Sequence, residues 1–542
     1  MSQPHAADDS ERIAAQALLL FAPFLVLFAY AGFFKATYFA QDDYIWLCFA
    51  KFCDAPALSL LYRDSLAGQF FRPVGQYWWM AVHAVSGDRV EPYQLAYLGT
   101  HLVNSVLAGM LIVRLCGRLL GAMTGLFVAL NPIFVTPVSW YYLYVFDTLG
   151  CTGFLASLLL LVRCIRGGRV GAGLASLACA LAAYFTKESY LMLPAAAALV
   201  VGIPESGGRW RFAEARRHWR WLAAFSVLAV AAWSWRCWVI GGFGGYGLWT
   251  FLTSVQAIEH FGERIVTLTG FTGWSCFPAL RRWDASENAQ LAATVPLLMA
   301  LIWLARRSST GPGPWWCLAW IAATWSPSGL MTTYAAVSFY PCLLGATLLL
   351  AQALAPWRHG MLAAVSIAFV YAGHGWFQYA DRAPEIAVHR AQHQELRERF
   401  PPSEWSQGDQ RQLVLMIAHP DLFPDAAVKY AAAPGTSFSS ILLYNTSSPT
   451  NWVVMDRGEL GPVGPLAVSP VFQNGYMEMP PYRSWPLFIA AEDMLAPAEG
   501  LTLRFLTWQW SPQKRFVEVP IDKARDALWP PDQRPAEAPP SR

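Results

Sequence analysis

The chain reads as a mainly α, polytopic membrane protein of about eleven transmembrane helices with a small C-terminal β-rich or α/β extracytoplasmic domain. Three observations predict this. Of 542 residues, 55% are hydrophobic and 14% charged, where soluble domains average about 25% charged. The 26 tryptophans and 21 tyrosines suit aromatic belts at two lipid–water interfaces. Long apolar runs alternate with short arginine-bearing turns over the first 377 residues.

A spanning helix needs about 20 apolar residues. The candidate spans are 13–34, 93–115, 119–138, 145–165, 170–186, 188–203, 221–240, 289–305, 315–333, 334–356 and 360–377. The first is too long for a signal-peptide core and is read as a retained span. The fifth and sixth are short and nearly continuous, and read as a hairpin about Thr186, Lys187, Glu188 and Ser189. With the amino terminus inside, the inner turns hold Arg114, Arg118, Arg163, Arg166, Arg169, Arg209, Arg211, Arg216, Arg217, Arg220, Arg306, Arg307 and Arg358. That concentration of basic residues in short connections fixes the expected orientation. Loops 36–92 and 241–288 and everything after 378 are then expected outside.

Loops of that length are functional or carry short helices of their own, and 56–62 and 253–267 are expected as interfacial helices. After 378 a charged helical stretch, 385–399, precedes β-like runs at 413–418, 437–444, 452–455, 501–508 and 516–519, divided by Pro/Gly turns. The expected domains are a transmembrane unit over 1–377, an extracytoplasmic domain over 378–530 and a disordered proline-rich tail over 531–542.

Several function classes drop out. There is no dense basic block of the kind that binds nucleic acid. The 10 cysteines are scattered without a C-x-x-C pair, so neither a zinc site nor a disulfide framework is indicated. No internal repeat is found.

The residues that could carry chemistry fall near one membrane face in this topology. Asp42 and Asp43 are adjacent carboxylates just beyond the first span. Mutual repulsion and desolvation could raise one pKa and poise it as a general base; the plainer reading is a solvated loop acid. Arg72, held extended by Pro73, could grip a phosphate through two parallel hydrogen bonds or simply snorkel among aromatics. His101 and Asn104 share a helix face, where Asn104 reads as a helix–helix hydrogen bond. Asp147 is the only acid between Glu91 and Glu188, and an ionisable group in a span is a functional hypothesis by default. The loop before it, with Trp140, Tyr141, Tyr142 and Tyr144, reads as an interfacial belt or a substrate contact. Lys187 and Glu188 could form a local ion pair, or supply a phosphate-binding cation and a partner carboxylate. Arg236, among Trp233, Trp235 and Trp238, reads as a second anion contact or a belt residue.

Taken in order and spacing, these motifs resemble the GT-C class of integral-membrane glycosyltransferases, especially the protein O-mannosyltransferase and aminoarabinose-transferase group. The resemblance covers roughly 13–350 and rests on Asp42-Asp43, Phe71-Arg72-Pro73, His101 to Asn104, Asn131-Pro132 through Asp147, and Thr186-Lys187-Glu188-Ser189 leading to Pro194. It implies a polyprenyl-phosphate sugar as donor and inversion at the anomeric carbon. Asp42 or Asp43 would be the base. Arg72, Lys187 and Arg236 would hold the lipid phosphate, and Asp147 would orient the acceptor or assist a metal. His101, Glu188 and Trp140 would line the substrate. Metal use varies in this class, so a divalent metal is left open and no ligand is assigned. Relatives often carry Asp-Glu in place of Asp42-Asp43, and an arginine before the segment that matches Ser338-Phe339-Tyr340-Pro341 is missing here. The helical-repeat tail of some relatives is absent, so a protein acceptor does not carry over.

The expectation is therefore a bacterial inner-membrane glycosyltransferase acting at the outer face on a glycan, lipid or protein acceptor. The rival is a transporter or flippase of lipid-linked saccharides. Transporters favour internal repeats and midplane polar groups, whereas the charges here gather at one boundary.

Overall fold

The computed structural model describes residues 4–32, 46–47, 49–50, 57–62, 71–131, 145–242, 287–329 and 340–399, apart from 88, 206–207, 309–310 and 358, together with six strands between 412 and 519 and residues 520, 522 and 523. The described helices are α1 Pro4–Tyr30, α2 Pro73–Ser86, α3 Val90–Cys116, α4 Arg118–Leu130, α5 Val145–Gly167, α6 Val170–Thr186 and α7 Leu193–Val201. They continue with α8 Phe212–Arg217, α9 Trp219–Ile240, α10 Glu287–Arg306, α11 Pro314–Gly329, α12 Leu343–Leu354 and α13 Gly360–Arg399. Each apolar run read as a span carries helix.

Five of these stretches are long and apolar enough to cross a membrane: Ile13–Tyr30, Val90–Cys116, Val145–Gly167, Trp219–Ile240 and Gly360–Phe377. Shorter apolar helices lie between them, among them Arg118–Leu130, Val170–Thr186 and Tyr340–Leu354. The chain is a multi-pass, mainly helical membrane protein.

Helix ends follow local chemistry. Helix α4 stops at Leu130, short of the expected 138, because Asn131 precedes Pro132 and sits at φ −58°, ψ 126°; a residue before proline is pushed out of the α region. The sixth run opens as a 3-10 turn, Glu188–Met192, before α7 begins with Pro in its first turn, where a missing N–H costs nothing. Within 56–62, the described residues form the 3-10 turn Ala57–Leu61. The charged stretch 385–399 continues α13 rather than forming a separate helix. Segment 253–267 lies outside the described residues.

By compactness the chain divides into Met1–Thr37, Phe71–Trp78 and Glu91–Asp381 as one unit, and Tyr38–Phe70, Trp79–Val90 and Arg382–Arg542 as another. In the first unit, small residues bring helices together. A Cβ on Gly109 would stand 3.0 Å from the Gly121 carbonyl, and one on Gly125 would stand 3.1 Å from the Ser105 carbonyl, so α3 and α4 touch backbone to backbone. Helices α5 and α6 are pinned by reciprocal bonds: Ser157 Oγ donates to the Ser176 carbonyl at 2.8 Å, and Ser176 Oγ to the Ser157 carbonyl at 2.6 Å. Small and hydroxylated residues hold helices together in lipid, where apolar surface alone gives no preference. The α5 span is 67% buried and the α9 span 22%, so α5 is central and α9 peripheral. At the arginine-rich helix ends, Arg166 donates to the carbonyls of Arg114 and Pro204.

The second unit contains a four-stranded sheet in the order β2-β1-β5-β6, made of Trp452–Asp456, Gln412–Ala418, Thr502–Gln509 and Arg515–Val519. Strand β1 pairs in parallel with β2 and β5, and β5 pairs antiparallel with β6. The short strands β3 Val471–Gln473 and β4 Tyr476–Glu478 form a hairpin that the sequence pattern does not announce. The expected strand 437–444 lies outside the described residues.

Candidate functional site

The site assembles where Arg72 enters α2, α5 begins, α6 passes into the 3-10 turn and α9 approaches its end. Lys187 is the hinge. Its backbone is extended, at φ −158° and ψ 139°, and successive side chains of an extended segment point to opposite sides. Lys187 and Glu188 therefore do not form the local ion pair that their adjacency offers. Each reaches a different helix.

Lys187 Nζ lies 2.6 Å from Asp147 Oδ1, with side chains 13% and 4% exposed. Asp147 is fixed from behind, because the Tyr190 hydroxyl donates to its backbone carbonyl. That ring fits only because residue 150 is glycine: a Cβ there would stand 2.1 Å from Tyr190 Cε2.

Glu188 faces the other way. Arg72 Nη2 lies 2.5 Å from Oε1 and Arg72 Nε donates to Oε2 at 3.1 Å. This two-pronged contact is the strong, geometrically specific form of a carboxylate–arginine pair. Arg236 Nη2 approaches Glu188 Oε2 at 4.0 Å. Arg72 also lies over the Phe146 ring, 5.7 Å from its centroid, and Arg236 over Trp233 at 5.4 Å. Two guanidiniums thus face the one Glu188 carboxylate.

Phe146 links the two pairs, since it precedes Asp147 and supports Arg72. Its ring needs the glycine at 75, where a Cβ would stand 2.0 Å from Phe146 Cδ1. Five charged side chains from four chain segments thus converge, and their arrangement can hold an anion between arginine edges next to an ordered carboxylate–lysine pair.

His101 is placed otherwise. It is fully buried in α3, with Nε2 3.1 Å from the Ala129 carbonyl and Nδ1 2.8 Å from the Tyr340 hydroxyl. A carbonyl only accepts, so Nε2 carries the proton and Nδ1 accepts from Tyr340. Asn104, as expected, links helices: its Nδ2 donates to the Thr148 carbonyl at 2.7 Å and its Oδ1 accepts from Thr152 at 2.7 Å. Asp42, Asp43 and Trp140 lie outside the described residues. Among the described residues, no group of three or more His, Cys, Asp or Glu side chains is placed to hold a metal ion.

Phe146 and Tyr190 are supporting residues that sequence reasoning passed over. Gly75 and Gly150 were the available signals, each marking a place where a ring must come close.

No protein-family model matches the chain, and no curated protein matches it. Among solved structures, it is similar to ArnT from Cupriavidus metallidurans in the apo state, with a TM-score of 0.48 and 13% identity over 79% of this chain and 85% of that one. It is also similar to ArnT from the same organism bound to undecaprenyl phosphate, with a TM-score of 0.42 and 13% identity over 80% of this chain and 85% of that one.

Proposed function

We propose that the chain is a membrane glycosyltransferase that moves a sugar from a polyprenyl-phosphate donor to an acceptor hydroxyl or amine. The observation that carries this reading is the meeting of Arg72, Arg236 and Glu188 beside Asp147 and Lys187, at positions where the sequence motifs call for a phosphate-holding set. The eleven apolar helices are read as spans, with the site and the domain after 378 on the outer face of a bacterial inner membrane. The transmembrane unit is taken as 1–377, the outer domain as 378–530 and the tail as 531–542.

In the reaction the acceptor oxygen or nitrogen attacks the anomeric carbon from the face opposite the phosphate, inverting it. The sugar–phosphate bond breaks and its electron pair stays on the lipid phosphate. Asp42 or Asp43 takes the acceptor's proton. Arg72, Arg236 and Lys187 stabilise the charge that grows on the leaving phosphate, an effect worth most where it is preorganised and shielded from water. Glu188 keeps both guanidiniums aimed before the donor arrives, and Asp147 does the same for Lys187.

Sugar transfer from polyprenyl-phosphate donors in vesicles tests the reading. Asn in place of the basic Asp should lower transfer by about 10²–10⁴-fold, the usual contribution of a general base. Unchanged transfer in Asp42→Asn, Asp43→Asn and the double variant would reject the base assignment.

A further inference from the structure

The peripheral helix α9 presents a second site, away from the charge cluster. A groove of about 580 Å³ runs along its outer face beside α6, lined by Leu177, Ala223, Ala224, Val227 and Ala231, with Trp219 and Arg220 at one end. The face is open: Val227 is 69% exposed and Trp219 60%. Three alanines are part of its lining, while the neighbouring Trp221 is tucked onto α6 where residue 173 is glycine; a Cβ there would stand 2.0 Å from the Trp221 ring. The groove is therefore built on a tightly docked helix pair.

Its charged end is equally defined. The Arg220 guanidinium lies over the Trp219 ring, 5.9 Å from the centroid. The segment leading into α9 carries Arg209, Arg211, Arg216, Arg217 and Arg220 against Glu205 and Glu214, and Arg211, Arg216, Arg217 and Arg220 are exposed. Phe212, in the same segment, is 70% exposed. Exposed aromatics beside arginines at the end of an apolar helix mark the headgroup level of a bilayer. Basic pockets between membrane helices at that level recognise anionic headgroups.

We propose that this groove binds one anionic glycerophospholipid. An acyl chain lies along Ala223, Ala224, Val227 and Ala231, and the phosphate sits on Arg220 in the leaflet at the arginine-rich helix ends. Charge complementarity selects the occupant, because the lining is apolar except for Arg220, and its surroundings carry more arginine than acid. The site is independent of the sugar-transfer reading.

Native mass spectrometry of the full chain, released from nanodiscs of mixed phosphatidylglycerol and phosphatidylcholine, tests the proposal. The wild type should retain phosphatidylglycerol preferentially, and Arg220→Gln should cut that preference about fivefold, the share of one cation near an anionic surface. Ala224→Phe should fill the trough and reduce retention of both lipids. Size-exclusion profiles report whether each variant is folded, and Arg220→Gln decides the matter should Ala224→Phe fail. Equal retention of the two lipids by the wild type would overturn the proposal, as would an unchanged preference in folded Arg220→Gln. A dimer that buries α9 and dissociates in Ala224→Phe would assign the groove to a second copy and overturn it as well.

Discussion

Arg72 and Glu188, 116 residues apart in the chain, meet through two hydrogen bonds of 2.5 and 3.1 Å. A lysine cannot reproduce this contact, because an ammonium is a point charge where guanidinium is a planar fork. Arg72→Lys should therefore lower sugar transfer about tenfold or more, the loss expected from one charge-assisted hydrogen bond, with protein yield kept near wild type. A variant as active as the wild type would show that charge alone suffices at 72.

The Asp147–Lys187 pair separates stability from chemistry. Its side chains are 4% and 13% exposed, and removing one member of a buried pair costs about 3–5 kcal/mol, whereas replacing both with apolar or neutral groups is often nearly neutral. Asp147→Asn and Lys187→Met should each lower the Tm in detergent, and the double variant should recover most of the loss. Sugar transfer should stay low in all three. Restored transfer in the double variant would make the pair purely structural.

Glu188 holds two guanidiniums at once, Arg72 at 2.5 Å and Arg236 at 4.0 Å. Taking away its charge leaves both without their shared counter-ion, so Glu188→Gln should lower the Tm in detergent and reduce sugar transfer together. A Tm equal to that of the wild type would contradict the pairing with Arg72 and Arg236.

Gly150 should tolerate no side chain. Gly150→Ala drives a methyl into the Tyr190 ring, and overpacking of this kind costs about 1–3 kcal/mol. The expected result is a lower Tm together with reduced transfer, because Tyr190 supports the Asp147 backbone. Adding Tyr190→Leu to Gly150→Ala should restore part of the Tm and little of the transfer.

Much of the helical layout was readable from apolar run length alone, and α6 begins and ends where hydropathy placed it, at Val170–Thr186. Asn131-Pro132 carried the stop signal for α4 in plain view, yet apolar residues beyond it masked the break. Side-chain partners were less accessible. Adjacency argued for a Lys187–Glu188 pair, and only the extended backbone at 187 separates them. The His101–Tyr340 bond joins positions 239 apart, a distance over which no periodicity carries information. The hairpin of β3 and β4 rests on three-residue strands, too short for alternation to register.

The extended peptide at Lys187 gears its neighbours together. One residue anchors on α5 and the next on Arg72, so the placing of both ion pairs rests on a single peptide linkage, and a substitution that alters the backbone at 187 bears on the two together.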